Sequence, residues 1–229
     1  GALRSYGGET AVQQLLADGD VDVVYVATTH PQHHAPARDA LGAGVPVLVE
    51  KPLTVSLAAT RDLVDLARER STFLMEAYWT RLLPGTAALL EVLQRGEVGE
   101  VHSLHADFGF AVDPGAARFH DPAIGGGSLL DLGPYPVGLA VLLLGAAEEV
   151  RAVGSLTDAG VDRQISIAAR FGSGAVASLS TTMVAHAANR AWVEGSEGTV
   201  ELDRFLPTAE GFTVRSLRDG REHETRHDH

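Results

Sequence analysis

Residues 47–52 read Val47-Leu48-Val49-Glu50-Lys51-Pro52, a short apolar run that ends in an acid, a base and a proline. Such a run is typical of a buried strand in a parallel sheet. Ligands of these sheets bind beyond the carboxyl ends of the strands, which is where Glu50 and Lys51 lie. The pattern therefore predicts a strand that brings a lysine to a ligand. A solvent-exposed Glu–Lys pair that closes the strand is the alternative interpretation.

The segments on either side of this run alternate between strand and helix. The apolar runs at residues 21–27 and 72–76 predict two more strands, and Ser56 to Arg70 predicts a long amphipathic helix. Alternation with short connections predicts a parallel sheet that is covered by helices, with all strand ends at one edge. We assign residues 1–82 to this first domain.

A different pattern follows Pro84 and defines a second domain, residues 83–229. Helices are predicted from Pro84 to Gln94 and from about Ser128 to Leu144. From Glu149 onward, strand patterns separated by tight turns predict an antiparallel meander. The predicted strands are 150–157, 165–171, 175–182, 190–194 and 199–202, and the histidines at 223, 227 and 229 are assigned to a frayed polar tail.

The predicted fold class is α/β, an incomplete Rossmann-like parallel sheet, followed by an α+β domain with a mostly antiparallel open sheet. The first sheet is incomplete because the sequence has no strand–Gly-x-Gly-x-x-Gly–helix unit, the phosphate-binding element of dinucleotide folds. Gly42 and Gly44 have the first part of this spacing, but they lie between a helix and a strand. We expect the missing unit to precede Gly1.

Composition excludes several classes of function. The formal net charge is −12 and no run of Lys and Arg stands out, so a nucleic-acid partner is not expected. The chain has no cysteine, which excludes disulfides and Cys-ligated metals. No stretch reaches the ~18 apolar residues of a spanning helix, so no membrane association is expected. The N-terminus does not resemble a signal peptide, and we expect a cytoplasmic protein.

Three further stretches carry side chains suited to chemistry. Asp131 and Tyr135 are i and i+4 on the predicted helix that follows the glycines at 125–127, so a regular helix would place an acid and a phenol on one face. A dipole-favoured aspartate and a half-buried tyrosine are the structural alternative. Residues 28–34 hold three histidines beyond a strand but no carboxylate at ligand spacing, so no metal is predicted. Aromatic residues and an arginine cluster at 76–81, as pocket linings do.

Taken together, these stretches resemble the Gfo/Idh/MocA family of NAD(P)-dependent oxidoreductases. The resemblance is ordered and covers nearly the whole chain. It comprises the strand and turn at 21–29, the Gly-turn and Glu-Lys-Pro signature at 40–52, a Gly-x-Val-Gly-Glu turn at 96–100 and a Gly-Gly-x-x-x-Asp-x-Gly segment at 126–133. Many members have histidine where this chain has Tyr135. That tyrosine, with the Glu-Ala-Tyr-Trp-Thr-Arg stretch at 76–81, is similar to the branch that acts on sugars and diols.

The resemblance implies hydride transfer between a nicotinamide, of NADP or NAD, and a CH–OH group of a sugar or vicinal diol. Lys51, Tyr135 and Asp131 are the implied catalytic residues, and Trp79, Arg118 and Phe119 would contact the substrate. Because Lys51 belongs to the first domain and Tyr135 to the second, the pocket is expected between the domains. The implied cofactor contacts are Thr28, Thr29, His30, His33, Glu50, Lys51 and Arg81.

Two expectations concern the assembly and the rival function. By resemblance, the open sheet of the second domain is expected to form a homodimer or a higher homo-oligomer, for which alternating strands such as residues 165–168 are suited. The alternative function is a non-catalytic binding or regulatory protein on the same scaffold, because fold alone does not fix function. The joint presence of Lys51, Asp131 and Tyr135 favours an enzyme.

Overall fold

The computed structural model describes residues 4–113, 115–202, 211–218 and 221–228. The chain divides into two compact units. Unit 1 comprises residues up to Tyr78 together with Ala123–Gly125, and unit 2 comprises Trp79–Pro122 and the residues from Gly126 onward. The predicted domain limit at residue 82 stays a prediction.

Unit 1 is built on a three-stranded parallel sheet, as the alternating sequence pattern predicted. Its elements in chain order are α1 (Ala11–Ala17), β1 (Val24–Val26), α2 (His34–Gly42), β2 (Val47–Val49), α3 (Leu57–Glu69) and β3 (Leu74–Glu76). The strand order is β1-β2-β3, with Val24–Val26 in register with Val47–Val49. The carboxyl ends of β1, β2 and β3 therefore meet at one edge, and Glu50 and Lys51 follow β2 there.

One face of this sheet forms the core of unit 1 against α2 and α3. The valines at both ends of β2 are fully buried, which explains why the apolar run at 47–49 has no polar position. Ser56 begins α3, because its side chain accepts a hydrogen bond from the amide of Ala59 at 3.2 Å. The buried core residues are Val24, Val26, Ala37, Ala40, Leu41, Val47, Val49, Leu63 and Ala67.

Unit 2 is an eight-stranded sheet that carries helices on one face. Its elements are α4 (Pro84–Gln94), β4 (Val101–Gly109), α5 (Ala117–His120), α6 (Ser128–Asp131), α7 (Pro134–Leu144), β5 (Ala147–Leu156), β6 (Asp162–Phe171), β7 (Val176–Thr182), β8 (Ala191–Gly195), β9 (Gly198–Leu202), β10 (Gly211–Arg218) and β11 (Arg221–Asp228). Alternate residues of the central strands, such as Leu104 and Leu179, are buried against the helices.

The strand order differs from the predicted meander. It is β11-β10-β9-β8-β4-β7-β6-β5, so β4 lies in the centre and pairs in parallel with β7 and antiparallel with β8. The sheet is mostly antiparallel, as predicted. Its central pair, β4 and β7, is parallel, so a crossover connection joins these two strands. The prediction missed this because only the segments after residue 149 were grouped into the meander, whereas β4 comes from before the helices.

Two predictions about local structure were wrong. The helix expected from Ser128 to Leu144 is two helices, because it breaks at Leu132 and Gly133. Asp131 is therefore the last residue of α6, and Tyr135 lies in the first turn of α7. His223 and His227, assigned to a polar tail, lie in β11 and pair with Ser216 and Phe212 of β10. His229 lies outside the described residues.

No single helix in the described ranges is long and apolar enough to cross a membrane. The segments Pro122–Asp131 and Pro134–Leu144 reach the required length and composition only as a pair, and a 49° bend separates them.

Candidate active site

The turn that follows β2 is held by its own Glu50 and by side chains from two other elements of unit 1, the end of β3 and the start of α2. Glu50 accepts a hydrogen bond from the amide of Lys51 at 3.1 Å, and Glu76, at the end of β3, accepts one from the amide of Leu53 at 2.7 Å. His33, at the start of α2, contacts the carbonyl oxygen of Pro52. The amides and carbonyl of residues 51–53 are thus bound on both sides of Lys51, which fixes the backbone that carries this lysine.

His33 is fully enclosed by protein, with 0% of its surface exposed. Its Nδ1 lies 2.8 Å from the carbonyl oxygen of Pro52, and its Nε2 lies 3.1 Å from the carbonyl oxygen of Thr28. A neutral ring can donate to one of these oxygens and a doubly protonated ring to both. The ring therefore joins the end of β1 to the turn after β2. It presents no surface to a ligand, so the predicted direct contact with a cofactor does not fit this structure.

The neighbouring candidates differ in exposure. Thr28 and Thr29 are exposed beyond the carboxyl end of β1, where ligands of parallel sheets bind. His30 is half-buried, and its Nδ1 lies 2.9 Å from the carbonyl oxygen of Gly125, which belongs to the same unit. Among the described residues, no cluster of three or more His, Asp or Glu side chains is arranged to hold a metal ion.

Tyr25 is a residue of this edge that the sequence did not single out. Its side chain is on the face of β1 opposite the core, and its hydroxyl donates a hydrogen bond to Glu50. This hydrogen bond is the largest cause that raises the pKa of the Tyr25 phenol above its usual value, and partial burial and the negative charge of Glu50 add to it. The neutral phenol thus holds the Glu50 carboxylate, whose other oxygen accepts from Lys51.

The Tyr25 phenol should ionise above pH 10, which is about the usual pKa of tyrosine. We therefore expect the Tyr25→Phe variant to lose one phenol from the high-pH part of the tyrosine titration. The folded-state pKa is raised, so this contact stabilises the fold fully below the unfolded pKa and is lost as pH rises through the folded pKa. An ultraviolet titration of tyrosinate measures this, because the chain has only four tyrosines. In Glu50→Gln, the same phenol should ionise at a lower pH than in the unchanged protein. A titration curve of Glu50→Gln that equals the curve of the unchanged protein would contradict the contact, and Tyr25→Phe identifies the part of the curve that belongs to Tyr25.

Lys51 is the only lysine among the 229 residues; the other 17 of the 18 Lys and Arg residues are arginines. Its side chain is half-buried. Arginine and lysine serve almost equally well as solvated surface cations, but only lysine offers a compact ammonium that can exchange its proton. All other Lys and Arg positions of the chain hold arginine, and the one lysine lies at this strand end. This choice indicates a position that needs a compact ammonium with an exchangeable proton.

A second set of candidate residues lies together in unit 2. Asp131 is buried, and its carboxylate accepts a hydrogen bond from Nη2 of Arg118 at 2.7 Å. The Arg118 guanidinium also lies over the ring of Phe119, with 4.7 Å between its Cζ and the ring centroid. The structure therefore brings together Asp131, Arg118 and Phe119, which the sequence had assigned to catalysis and to substrate contacts.

Tyr135 is buried and continues this set through a row of aromatic rings. Its ring meets Phe108 edge-to-face with centroids 5.0 Å apart, Phe108 meets Phe110 at 6.2 Å, and Phe110 meets Phe119 at 6.4 Å. Phe110 keeps part of its ring exposed. Asp131 and Tyr135 thus border a surface that combines an acid, a guanidinium and aromatic faces. The sequence did not single out Phe108 and Phe110.

The sequence matches two family profiles that together cover most of the chain. Residues 4–78 match the profile described as "Oxidoreductase family, NAD-binding Rossmann fold", and residues 86–201 match the "GFO/IDH/MocA C-terminal domain". The second match alone covers more than half of the chain. The chain belongs to the Gfo/Idh/MocA family of oxidoreductases. The resemblance predicted from the ordered motifs is thereby confirmed.

Curated relatives within this Gfo/Idh/MocA family include dihydrodiol dehydrogenases. The chain is 36% identical over 208 residues to trans-1,2-dihydrobenzene-1,2-diol dehydrogenase of Mus musculus, covering 90% of this chain and 61% of the relative. It is 36% identical over 201 residues to the Homo sapiens protein of the same name, covering 87% and 59%. The chain thus spans about three fifths of the length of these relatives.

Solved structures of similar fold come from enzymes with sugar-related names. A 3-ketoreductase of Actinomadura kijaniata, in complex with NADP and TDP-benzene, is 30% identical with a TM-score of 0.79, covering 94% of this chain and 68% of that one. An aldose-aldose oxidoreductase of Caulobacter crescentus, in complex with glycerol, is 27% identical with a TM-score of 0.82, covering 96% and 67%. These agree with the predicted fold class.

Some predicted site residues of this Gfo/Idh/MocA chain belong neither to the turn around Lys51 nor to the set of residues around Asp131. Trp79 and Arg81 lie in a short 3-10 helix of unit 2, Trp79–Leu82, with both side chains exposed. Conversely, Tyr25 and Glu76 contribute to the turn around Lys51 although the sequence gave them no role. Glu76 is the last residue of the third predicted strand of the parallel sheet, and that position was the available signal for it.

Proposed function

We propose that the protein is an NAD(P)-dependent oxidoreductase that transfers hydride between a nicotinamide and a CH–OH group of a sugar or a vicinal diol. The observation that carries this proposal is the placement of the only lysine, Lys51, beyond the carboxyl end of β2 in a turn held by His33, Glu50 and Glu76. A site requires such fixed geometry, whereas a surface pair does not. Membership of the family and the names of the relatives support the reaction class.

The residues present fit the nicotinamide side of a dinucleotide and not its phosphates. The exposed hydroxyls of Thr28 and Thr29 and the carboxylate of Glu50 lie at the edge of the parallel sheet where dinucleotides bind. The sequence provides no strand–Gly-x-Gly-x-x-Gly–helix unit for a pyrophosphate. When bound, the nicotinamide would accept or supply the hydride; Thr28, Thr29 and Glu50 would bind and orient it.

The side chains of Lys51 in unit 1 and of Asp131 and Tyr135 in unit 2 have separate roles in the proposed reaction. In the oxidising direction, the C–H bond breaks with its electron pair, the hydroxyl proton leaves and a C=O bond forms. The ammonium Nζ of Lys51 stabilises the charge that develops on the substrate oxygen and, together with Tyr135, helps to move its proton. The phenol of Tyr135 exchanges the hydroxyl proton, and Asp131, held by Arg118, orients the substrate or the proton relay.

The surface around Asp131 is complementary to a substrate that has both hydroxyl groups and an apolar face. The guanidinium of Arg118 and the carboxylate of Asp131 offer polar partners for hydroxyls, and Phe119 and Phe110 offer ring faces. Sugar rings and cyclic diols combine C–H faces with hydroxyl edges, so both match this surface. Trp79, with 41% of its surface exposed, is a further proposed substrate contact.

A homodimer through the open face of the unit 2 sheet is part of the proposal. Val153, 80% exposed, and Val176, 50% exposed, lie on this face among small polar side chains such as Ser166, Ser178 and Ser180. Val153 is paired with Ser166, and Val176 is paired with Ser103 on one side and with Arg170 on the other, so the face offers apolar positions with a charged border that a second sheet can cover. Sedimentation equilibrium of the purified protein measures this. A cytoplasmic location stays a prediction.

The test of the proposed function is an assay of the purified protein with NAD+ and NADP+ against a panel of aldoses, polyols and cyclic vicinal diols. We expect nicotinamide reduction with at least one substrate, and we expect Tyr135→Phe to lower kcat about 100-fold with little change in the KM of the dinucleotide. The matched control is Tyr6→Phe, which removes a phenol from unit 1. Binding of a dinucleotide without turnover of any substrate would favour the non-catalytic alternative.

A further inference from the structure

Asp162, the first residue of β6, binds the start of α6 through a single carboxylate oxygen. Its Oδ2 accepts a hydrogen bond from Oγ of Ser128 at 2.6 Å and another from the amide of Leu129 at 2.7 Å. α6 has no cap of its own, because its N-cap residue is Gly127 and no side chain of the helix serves that role. The sheet therefore supplies the cap from outside the helix.

The neighbourhood of this carboxylate is built for the contact. Ser128 is fully buried, and its Oγ lies 3.0 Å from the hydroxyl of Thr181 on β7, which can donate to it. Gly127 has a φ of +120°, and a Cβ atom at this position would overlap Oδ1 of Asp162. Two strands, a glycine and a buried serine thus converge on the first turn of a helix of only four residues, Ser128–Asp131.

The hydrogen bonds continue from this turn to the two candidate catalytic side chains of unit 2. The carbonyl oxygen of Ser128 accepts from the amides of Leu132 at 2.8 Å and Gly133 at 3.1 Å, and the carbonyl oxygen of Leu132 accepts from the amide of Tyr135 at 3.2 Å. Asp131 lies within the same path, as the last residue of α6. A shift of Ser128 would therefore move the backbone of Asp131 and of Tyr135 together.

We infer that Asp162 is a positioning residue, which sets the placement of Asp131 and Tyr135 by fixing Ser128 and Leu129. This inference rests on the proposed function, in which these two side chains act on the substrate. Asp162 itself touches neither the substrate nor the cofactor in this scheme. A misplacement of a reacting group by about 1 Å is enough to lower a rate about 100-fold, so an anchor outside the site can control kcat.

The geometry selects the informative variants. Both hydrogen bonds go to one oxygen, so Asp162→Asn keeps an acceptor for Ser128 and Leu129, whereas Asp162→Ala removes it. Asp107 on β4 is the matched control, because its carboxylate accepts from the amides of Asn189 at 2.7 Å and Arg190 at 3.2 Å and binds no residue of α6. Asp107→Ala thus removes an equivalent anchor of the same sheet at a different loop.

The experiment measures kinetics and tyrosine NMR on the purified protein and the three variants. We expect Asp162→Ala to lower kcat about 100-fold while the KM of the dinucleotide stays within about twofold, and Asp162→Asn to restore kcat to within about threefold. Asp107→Ala should leave kcat unchanged. With ring-labelled tyrosine, the Tyr135 resonance, shifted by the ring of Phe108, should move in Asp162→Ala alone, and Tyr25 in unit 1 should not.

The NMR and kinetic results on Asp162→Ala together support or overturn the positioning role of Asp162. A Tyr135 resonance that does not move in Asp162→Ala overturns the inference, whether or not the protein turns over any substrate. A resonance that moves while kcat stays unchanged also overturns it, because the anchor then serves stability alone. Absence of turnover in the unchanged protein refutes the proposed function, and the inferred catalytic role of the anchor with it; the NMR result still shows whether Asp162 places Tyr135.

Discussion

Replacement of Lys51 by methionine is expected to lower kcat for a sugar or diol about 1,000-fold or more, with the dinucleotide still bound. Methionine keeps the length and the apolar stem of lysine but has no ammonium to stabilise the charge on the substrate oxygen. Removal of one such electrostatic partner costs about 100-fold to 1,000-fold in other enzymes, and loss of a proton-transfer group adds to this. Steady-state kinetics and fluorescence titration of NAD(P)H separate the two effects.

Lys51→Arg sharpens this prediction. The guanidinium keeps the positive charge, but it does not release a proton in proteins and needs a wider cavity. We expect its kcat to stay within about tenfold of that of Lys51→Met if proton exchange matters. The matched control is Arg68→Lys, an exchange between the same two residue types on the exposed side of α3, which should leave kcat unchanged. A Lys51→Arg protein with nearly full activity would show that Lys51 supplies charge alone.

Replacement of His33 by alanine is expected to reduce the free energy of unfolding by about 3 kcal/mol. The change takes the ring partner from the carbonyl oxygens of Pro52 and Thr28 and opens a cavity where the fully buried ring stood. A buried polar group that loses its partner costs about 1–3 kcal/mol, and the cavity adds to that cost. Urea denaturation followed by circular dichroism measures the difference. Activity should fall as well, because the backbone on both sides of Lys51 loses a support.

The adjacent histidine provides the control for His33. His34 is half-exposed, and its Nε2 lies 2.7 Å from Asp62 on α3, so His34→Ala loses a surface contact and leaves no enclosed carbonyl. A surface pair of this kind contributes about 1 kcal/mol or less. Equal destabilisation by the two changes would contradict the distinction between an internal brace and a surface pair.

The elements of unit 1 could be predicted from sequence because burial there follows a simple pattern. Strand β2 has no polar position between Val47 and Val49, and α3 shows one apolar stripe with a serine cap, so periodicity and end signals agree. β11 has no such pattern, because its sequence Arg221–Asp228 is almost entirely polar and it is an edge strand. It forms by backbone pairing with β10, and no side-chain period records that pairing.

The residues of the candidate site could be predicted only in part. Lys51 and Asp131 could be singled out as candidates because each lies in a short, recognisable motif at the end of an element, and their catalytic roles stay predictions. The supports could not be found in this way, because Glu76 and Asp162 act on residues that are distant in the sequence. Residue type gave the wrong role for His33: its position beyond a strand suggested a ligand contact, whereas tertiary packing directs both ring nitrogens to the backbone.

The break at Leu132 and Gly133 places Asp131 and Tyr135 on two short helices whose backbones are joined through the turn that begins at Ser128. Asp131 is set by the helix that Asp162 caps, whereas the Tyr135 ring packs on Phe108 of β4. In the proposed scheme, the side chain at position 135 can therefore change while the backbone bonds that support Asp131 stay the same. In the proposed function, Tyr135 is thus a position at which one substitution changes the proton carrier while the helix break and its backbone bonds stay the same.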